Sequence, residues 1–291
     1  MLREMTITTR FAPSPTGYLH LGHAYAAHTA WAKARAAHGK FLLRLEDIDR
    51  TRCKPAFAAA ILEDLRWLGL SWDGAVRVQS AHLADYSAAL ARLEAGGLLY
   101  PCFCTRSEIA RAQTAPHDGE PVYPGTCRGL SIAERTRRIA HGQKYARRLD
   151  VTRAMRATGA LRFFEEGSGW VDAQPAALGD VVLARNDIPT SYHLCVVHDD
   201  ALQGVTHVTR GEDLFSATHI HVLLQSLLGL PMPVYTHHKL LTDETGKRLA
   251  KRDAAPRLRT MREAGATPDE VLAQLQNQPA ASHSGVESGA A

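Results

Sequence analysis

Two imidazoles, His20 and His23, flank Leu21 and Gly22 just ahead of an alanine-rich run over residues 24–37. Residues 6–11 are β-branched and aromatic enough to read as a strand. Pro13, Pro15 and Gly17 then forbid an immediate regular element, so the strand ends in a shaped turn. Strand, constrained loop and helix N-terminus together present backbone N–H groups and a positive dipole end, which is a phosphate site. Imidazoles placed there can hydrogen-bond phosphate oxygens, and Gly22 lets a flat base approach the backbone. A polar first helical turn is the other reading of the same residues.

Charged groups at strand ends supply the next candidates. Residues 41–45 read as a buried strand with Glu46 just past it, where an open α/β sheet turns side chains into its crevice; a solvated acidic turn is the alternative. Residues 205–210 read as another strand ending in Arg210, whose fork suits a carboxylate, or else an internal ion pair with its acidic neighbours. Lys247, Arg248, Lys251 and Arg252 make a basic loop near the end of the chain. Cys102 and Cys104 form a Cys-x-Cys pair, and Cys127 follows a loop rich in Pro and Gly. Three such thiolates suit tetrahedral zinc, with Tyr123, His117 and His141 as candidates for the fourth position; structural or free thiols are the alternative.

The elements that must carry these groups follow from periodicity. Residues 56–69 space Phe57, Ile61, Leu65 and Leu68 as a packing helix, with Trp67 and Trp72 in core or interface. Residues 83–99 read as an amphipathic helix stopped by Gly96 and Gly97. Residues 161–166 and 179–184 look like strands, and residues 188–197 read as a buried strand. Residues 219–228 look like a buried helix, and residues 256–275 like one or two helical turns with an N-cap at Thr267 and a Pro start. Residues 135–148 are dense in arginine and lysine, which is either a solvated face or an RNA-backbone contact.

Several of these stretches resemble one family. RFAPSPTGYLHLGH is similar to the first signature of class I aminoacyl-tRNA synthetases in its glutamyl branch, and RLAKR resembles the second, with Arg248 for the usual lysine and Ala250 for a serine. LRLEDIDRTR and PTSYHLCVVHDDALQGVTHVTRGEDL resemble further parts of the glutamyl catalytic fold. The resemblance spans roughly residues 7–275 and implies a Rossmann-like parallel α/β sheet, split by a zinc-containing insertion and followed by C-terminal helices. Its implied division is 1–100 and 188–240 for the two catalytic halves, 101–187 for the insertion, 241–276 for a mobile loop with C-terminal helices, and 277–291 for a disordered tail.

The resemblance also assigns roles. His20, Gly22, His23, Arg248 and Lys251 would hold ATP, accompanied by Mg²⁺, with His20, His23 and Lys251 acting on the phosphates. Arg10, Ala12, Ser14, Glu46, Tyr192 and Arg210 would hold L-glutamate. The short paralogues in this branch, the glutamyl-Q tRNA(Asp) synthetases, carry a Cys-x-Cys…Tyr-x-x-x-Cys zinc site, which selects Cys102, Cys104, Tyr123 and Cys127 for one structural Zn²⁺. Longer glutamyl-tRNA synthetases continue into a helical anticodon-binding domain, which this chain is expected to lack. The implied reaction is activation of glutamate without tRNA, then its transfer to queuosine in the anticodon loop of tRNA-Asp. A truncated conventional synthetase charging a tRNA 3′ end, a silent glutamate- or tRNA-binding paralogue, and a nucleotidyltransferase on the same core are the competing readings.

Bulk composition sets outer bounds. With 291 residues, 45% of them hydrophobic, the chain has ample core for one large domain or two modest ones. Its 34 Lys+Arg against 30 Asp+Glu give a formal +4, compatible with an RNA partner without demanding one. The mixed N-terminus and the lack of a long apolar run predict a cytoplasmic protein without a membrane partner, taken as a monomer. Five cysteines in unequal spacings argue against a disulfide framework.

Overall fold

The computed structural model describes residues 6–111, 122–241 and 256–276; the predicted tail over 277–291 lies outside them. The strands are β1 (Thr8–Phe11), β2 (Lys40–Leu45), β3 (Arg77–Val78), β4 (Leu99–Cys102), β5 (Ala146–Leu149), β6 (Arg162–Glu165), β7 (Gly169–Asp172), β8 (Val182–Ala184), β9 (His207–Gly211) and β10 (Val234–His238). The helices are α1 (Leu21–Ala36), α2 (Pro55–Trp67), α3 (Leu83–Ala95), α4 (Arg106–Arg111), α5 (Ile132–Ala140), α6 (Val151–Thr158), α7 (Tyr192–Leu202), α8 (Phe215–Leu228), α9 (Leu258–Glu263) and α10 (Pro268–Gln276).

Strands β1, β2 and β3 form one parallel sheet, with Thr9 opposite Phe41 and Leu45 opposite Val78. In a second sheet β9, β10 and β6 are parallel, and β7 closes the edge as an antiparallel hairpin partner of β6. The two sheets meet along β1 and β9. There the Thr8 N–H donates to Thr206 Oγ1 at 2.8 Å, and the Thr206 N–H donates to the Thr8 carbonyl at 3.0 Å. This is the parallel α/β layer expected from the sequence. A separate antiparallel sheet joins β4, β5 and β8, and the chain leaves it between β5 and β8 to form β6 and β7 of the second sheet.

Helix α1 sits close on this layer because, past Leu21 in its first turn, its fully buried positions are the methyl groups of Ala24, Ala27, Ala30 and Ala34. Thr9 Oγ1 even donates to the Ala30 carbonyl at 2.7 Å, a contact that a larger stripe would prevent. Phe41, Leu43, Ile61 and Leu65 fill the core under β1 and β2, and Leu258, Val271 and Leu275 of the last two helices join it. A second core gathers α3, α7 and α8 around Leu194, Ile220 and Leu223. Trp67 and Trp72 pack on the margin of the first core.

Two expectations need correction. Residues 192–202 are helix α7, not the strand expected over 188–197. The apolar run Leu194 to Val197 is buried on successive positions, which satisfies a central strand and a fully enclosed helix equally well. Ser191 decides locally, since its side chain accepts the Leu194 N–H at 3.4 Å as an N-cap. Helix α3 also stops at Ala95, and Leu99 opens β4 rather than ending the helix. Gly97 makes that reversal at φ +65°, a conformation that side-chain-bearing residues resist.

Candidate active site

Helix α1 leads from β1 away to β2, while α8 leads from β9 away to β10, so the chain diverges between β1 and β9. A crevice opens at the carboxyl ends of strands where such connections part. Here it is a cavity of about 390 Å³, lined by Arg10 of β1, Ala12 and Ser14 after it, Glu46 after β2, and Thr209 and Arg210 of β9. His23 of α1 and Tyr192, the first residue of α7, also face it. Seven side chains expected at the site from the sequence are therefore brought together; His20 stands beside them at the mouth of α1 rather than in the lining.

A buried charge network underlies the cavity. Arg10 Nε donates to Asp200 Oδ1 at 3.0 Å and Nη1 to the Thr209 carbonyl at 3.2 Å. Arg44, fully buried, donates to the same Asp200 oxygen at 2.8 Å, to Gln203 at 3.0 Å and to Glu46 Oε1 at 3.2 Å. Asp199 completes the network by accepting from Arg77 Nε, Gln79 Nε2 and Tyr86 Oη at 2.8, 2.9 and 2.8 Å. Burial raises the Glu46 carboxyl, with Arg44 and Arg10 opposing. At Asp200 burial pushes the same way, but Arg10 and Arg44 outweigh it and hold the carboxyl low. Sequence reasoning assigned no role to Arg44, Asp199 or Asp200. The available signal was a charge inside an apolar run, FLLRL and CVVHDD, where only a partner could justify it.

At the mouth of α1 the histidines act first as caps. His20 Nδ1 accepts the Gly22 N–H at 3.1 Å, and His23 Nδ1 accepts the His20 N–H at 3.3 Å, a reciprocal capping box. With Nδ1 accepting, each neutral ring carries its proton on Nε2, and the two rings lie 3.9 Å apart. A Cβ on Gly22 would sit 3.0 Å from His20 Cε1, so the glycine also makes room for the capping ring. Lys251 and Arg248 lie outside the described residues. The chain that follows them pairs back to the site: Arg257 bridges His20, and the Leu258 N–H donates to the Leu19 carbonyl at 3.0 Å.

A second constellation lies on the antiparallel sheet. Cys102, Cys104 and Cys127 bring their sulfurs within 4.8 Å of one another. The Cys104–Cys127 separation is 3.5 Å, against ~3.8 Å for two thiolates on tetrahedral zinc with ~2.3 Å bonds. Tyr123 Oη lies 3.8 Å from Cys104 Sγ and accepts the Cys127 N–H at 2.7 Å, so it stands at the cluster. His141 does not: its Nδ1 contacts the Arg137 carbonyl of its own helix at 2.7 Å, and His117 lies outside the described residues. Burial pushes the Cys104 thiol up to about 12 and raises the Tyr123 phenol, so a cation is what would keep these atoms ionised. The donor set fits a metal. All five cysteines are free.

The basic run over 135–148 divides. Arg137 and Arg138 pair with Glu134 at 2.6 Å each. Arg148 is buried, 3.9 Å above the Tyr123 ring, and donates to the Asp180 carbonyl at 2.6 Å. Most of that charge is therefore used internally.

Among the described residues no helix is long and apolar enough to cross a membrane. Residues 6–280 match the family described as tRNA synthetases class I (E and Q), catalytic domain. The chain is 54% identical over 276 residues to a glutamyl-Q tRNA(Asp) synthetase of Rhodobacter capsulatus, covering 90% of this chain and 97% of that one. A protein of the same name from Nocardia farcinica is 47% identical, covering 91% of this chain and 82% of its own. A crystal structure of a glutamate tRNA ligase from Elizabethkingia meningosepticum, in complex with its amino acid, superposes with a TM-score of 0.76 at 26% identity. That match covers 93% of this chain but 60% of the ligase, so this chain spans somewhat under two thirds of the longer protein. On these matches the chain belongs to the class I glutamyl and glutaminyl tRNA synthetase family, in the branch of the glutamyl-Q tRNA(Asp) synthetases.

Proposed function

We propose that the cavity binds L-glutamate and ATP, forms glutamyl-adenylate without tRNA, and passes glutamate to queuosine in the anticodon loop of tRNA-Asp. The observation that carries this reading is the convergence of Glu46, Tyr192, Arg210 and His23 on one cavity at the carboxyl ends of β1, β2 and β9. Glu46 suits an ammonium group, Arg210 a carboxylate, and the capped start of α1 a phosphate. The names of the close relatives support the acceptor.

In this mechanism Arg10, Ala12, Ser14, Glu46, Tyr192 and Arg210 hold glutamate, while His20, Gly22, His23, Arg248 and Lys251 hold ATP. An oxygen of the α-carboxylate attacks the α-phosphorus, and the bond to the bridging oxygen breaks with its electron pair leaving on pyrophosphate. Positioning and charge stabilisation supply the rate, since no side chain needs to bond to the substrate. Mg²⁺ bound with ATP would offset phosphate charge. A hydroxyl of queuosine then attacks the activated carbonyl and AMP departs. Zn²⁺ on Cys102, Cys104, Tyr123 and Cys127 would be structural, because four protein donors leave no open position.

The test supplies radiolabelled glutamate, ATP and unfractionated tRNA from a queuosine-competent and a queuosine-deficient strain. Label on tRNA-Asp from the competent strain alone is the expected result. Equal labelling of both tRNA pools would reject queuosine as acceptor and favour charging of a 3′ end.

A further inference from the structure

The buried arginines at the cavity are compensated in different ways. Arg10 and Arg44 both pair with the Asp200 carboxylate, at 3.0 and 2.8 Å. Arg210 is as buried as Arg10, yet among the described residues its side chain bonds only to neutral acceptors. Its Nε donates to His237 Nε2 at 3.1 Å and its Nη2 to Thr218 Oγ1 at 2.7 Å. Its Nη1 donates to His221 Nδ1 at 3.1 Å and reaches Tyr192 Oη at 3.4 Å.

A guanidinium only donates, so the two ring nitrogens facing it must be bare lone pairs and each ring carries its proton on the other nitrogen. Both of those protons have a taker. His237 Nδ1 lies 2.8 Å from Glu165 Oε2, and His221 Nε2 lies 3.1 Å from His193 Nδ1. Burial, with Arg210, His193, Arg10 and His237 around it, holds His221 well below the ordinary imidazole range. The Tyr192 ring packs on its edge, 5.5 Å away. Burial and Arg210 push His193 down to about 4. The Glu165 carboxylate stands one ring behind the guanidinium, where it fixes the His237 tautomer without touching Arg210.

A buried cation without a counter-ion is costly, and a carboxylate partner would relieve that cost by cancelling the charge. We propose that His221 and His237 are positioning residues that aim Arg210 through neutral lone pairs, so that its charge is reserved for a carboxylate of the incoming amino acid. The ligand half of this inference rests on the glutamate reading given above. It separates the two arginines of the cavity: Arg210 is the anchoring cation, while Arg10 is already paired with Asp200.

The test has two arms. In protein labelled with a nitrogen isotope on histidine, ring signals assigned through His221→Asn and His237→Gln report protonation directly. At neutral pH His221 Nδ1 and His237 Nε2 are expected to carry no proton, with or without glutamate. A proton on either nitrogen overturns the proposal, whatever amino acid the site takes. The second arm titrates L-glutamate calorimetrically into wild type, His221→Asn and His221→Asp. Asparagine keeps a neutral acceptor beside Arg210, whereas aspartate adds a charge. The Asn variant should stay within about threefold of wild type, and the Asp variant should bind roughly 10- to 100-fold more weakly. Equal losses in both would reduce His221 to a packing role and overturn the proposal. Thermal melts check that each variant folds, and if the Asp variant does not, the ring-nitrogen arm decides alone. Wild type that binds no glutamate rejects the glutamate reading, and the neutral cage is still decided by the first arm.

Discussion

Asp200 joins groups that lie far apart in the chain. Its carboxylate receives Arg10 from β1 and Arg44 from β2, and burial leaves neither arginine another charged partner as close. Removing one member of a buried ion cluster leaves the others uncompensated, which costs roughly 3–5 kcal/mol. Asp200→Asn should therefore lower the urea midpoint by a corresponding amount; a midpoint equal to wild type would show that water or Glu46 already satisfies both guanidinium groups. Arg210 presents the opposite design, with no carboxylate partner among the described residues. Arg210→Lys keeps that charge but loses the planar fork to His221, His237 and Thr218. Its glutamate affinity should fall by roughly tenfold or more with the fold intact. Calorimetric titration checks this, and an unchanged affinity would show that the fork geometry is dispensable.

The start of α1 and the thiol-bearing sheet are held by different means. Helix α1 has no acidic residue in its first turn, so its capping falls to the paired imidazoles of His20 and His23. Gly22→Ala would place a methyl group 3.0 Å from the His20 ring. The displaced cap should cost about 1 kcal/mol of stability and weaken ATP binding more than glutamate binding. Equal effects on the two ligands would argue against a phosphate at this terminus. The β4-β5-β8 sheet has only a small core of its own around Tyr100, Cys102, Phe103, Tyr123 and Cys127. A metal there would supply the cross-link that the core does not. Elemental analysis should find one zinc per chain, and its removal by a chelator should open proteolytic sites in this sheet before the parallel layer. A metal-free protein with the same cleavage pattern would point to packing alone.

Across the molecule, the last helices close back on the first loop. Leu258 is fully buried in the core under β1 and β2, and Arg259 Nη1 donates to Tyr18 Oη at 3.1 Å. Arg262 of α9 reaches Glu63 at 3.0 Å and the buried Asp64 at 3.5 Å on α2. Burial pushes Asp64 up to about 6, with Arg262 opposing, while an unfolded aspartate titrates near ~3.9. The folded state thus keeps a proton that the unfolded state has released, so this group's contribution to stability falls as pH rises from about 4 to about 6 and is level above that. Wild type minus Asp64→Asn, in thermal midpoints across that window, should show this downward slope. Parallel curves for the two proteins would assign the titration elsewhere.

Much of this was legible in the chain itself. Local signals are complete within a few residues, so the helices over 24–37 and 56–69, the strands at 41–45 and 205–210, and the Thr267 start of the last helix all read directly. The strand-end rule needs only a strand and the residues at its carboxyl end, which is why Glu46 and Arg210 could be named in advance as facing the cavity. What tertiary structure decided was everything that depends on a partner distant in sequence. The run at 194–197, which periodicity alone leaves open between a central strand and a buried helix, is capped by Ser191 as helix α7 and packed against α3 and α8. Arg44 and Asp200 are 156 residues apart and Arg10 and Asp200 are 190 apart. The histidines that aim Arg210 come from α8 and β10. A charge or an imaginable acceptor is visible in one dimension, but whether it is cancelled or left free is settled only when the folded chain supplies, or withholds, its counterpart.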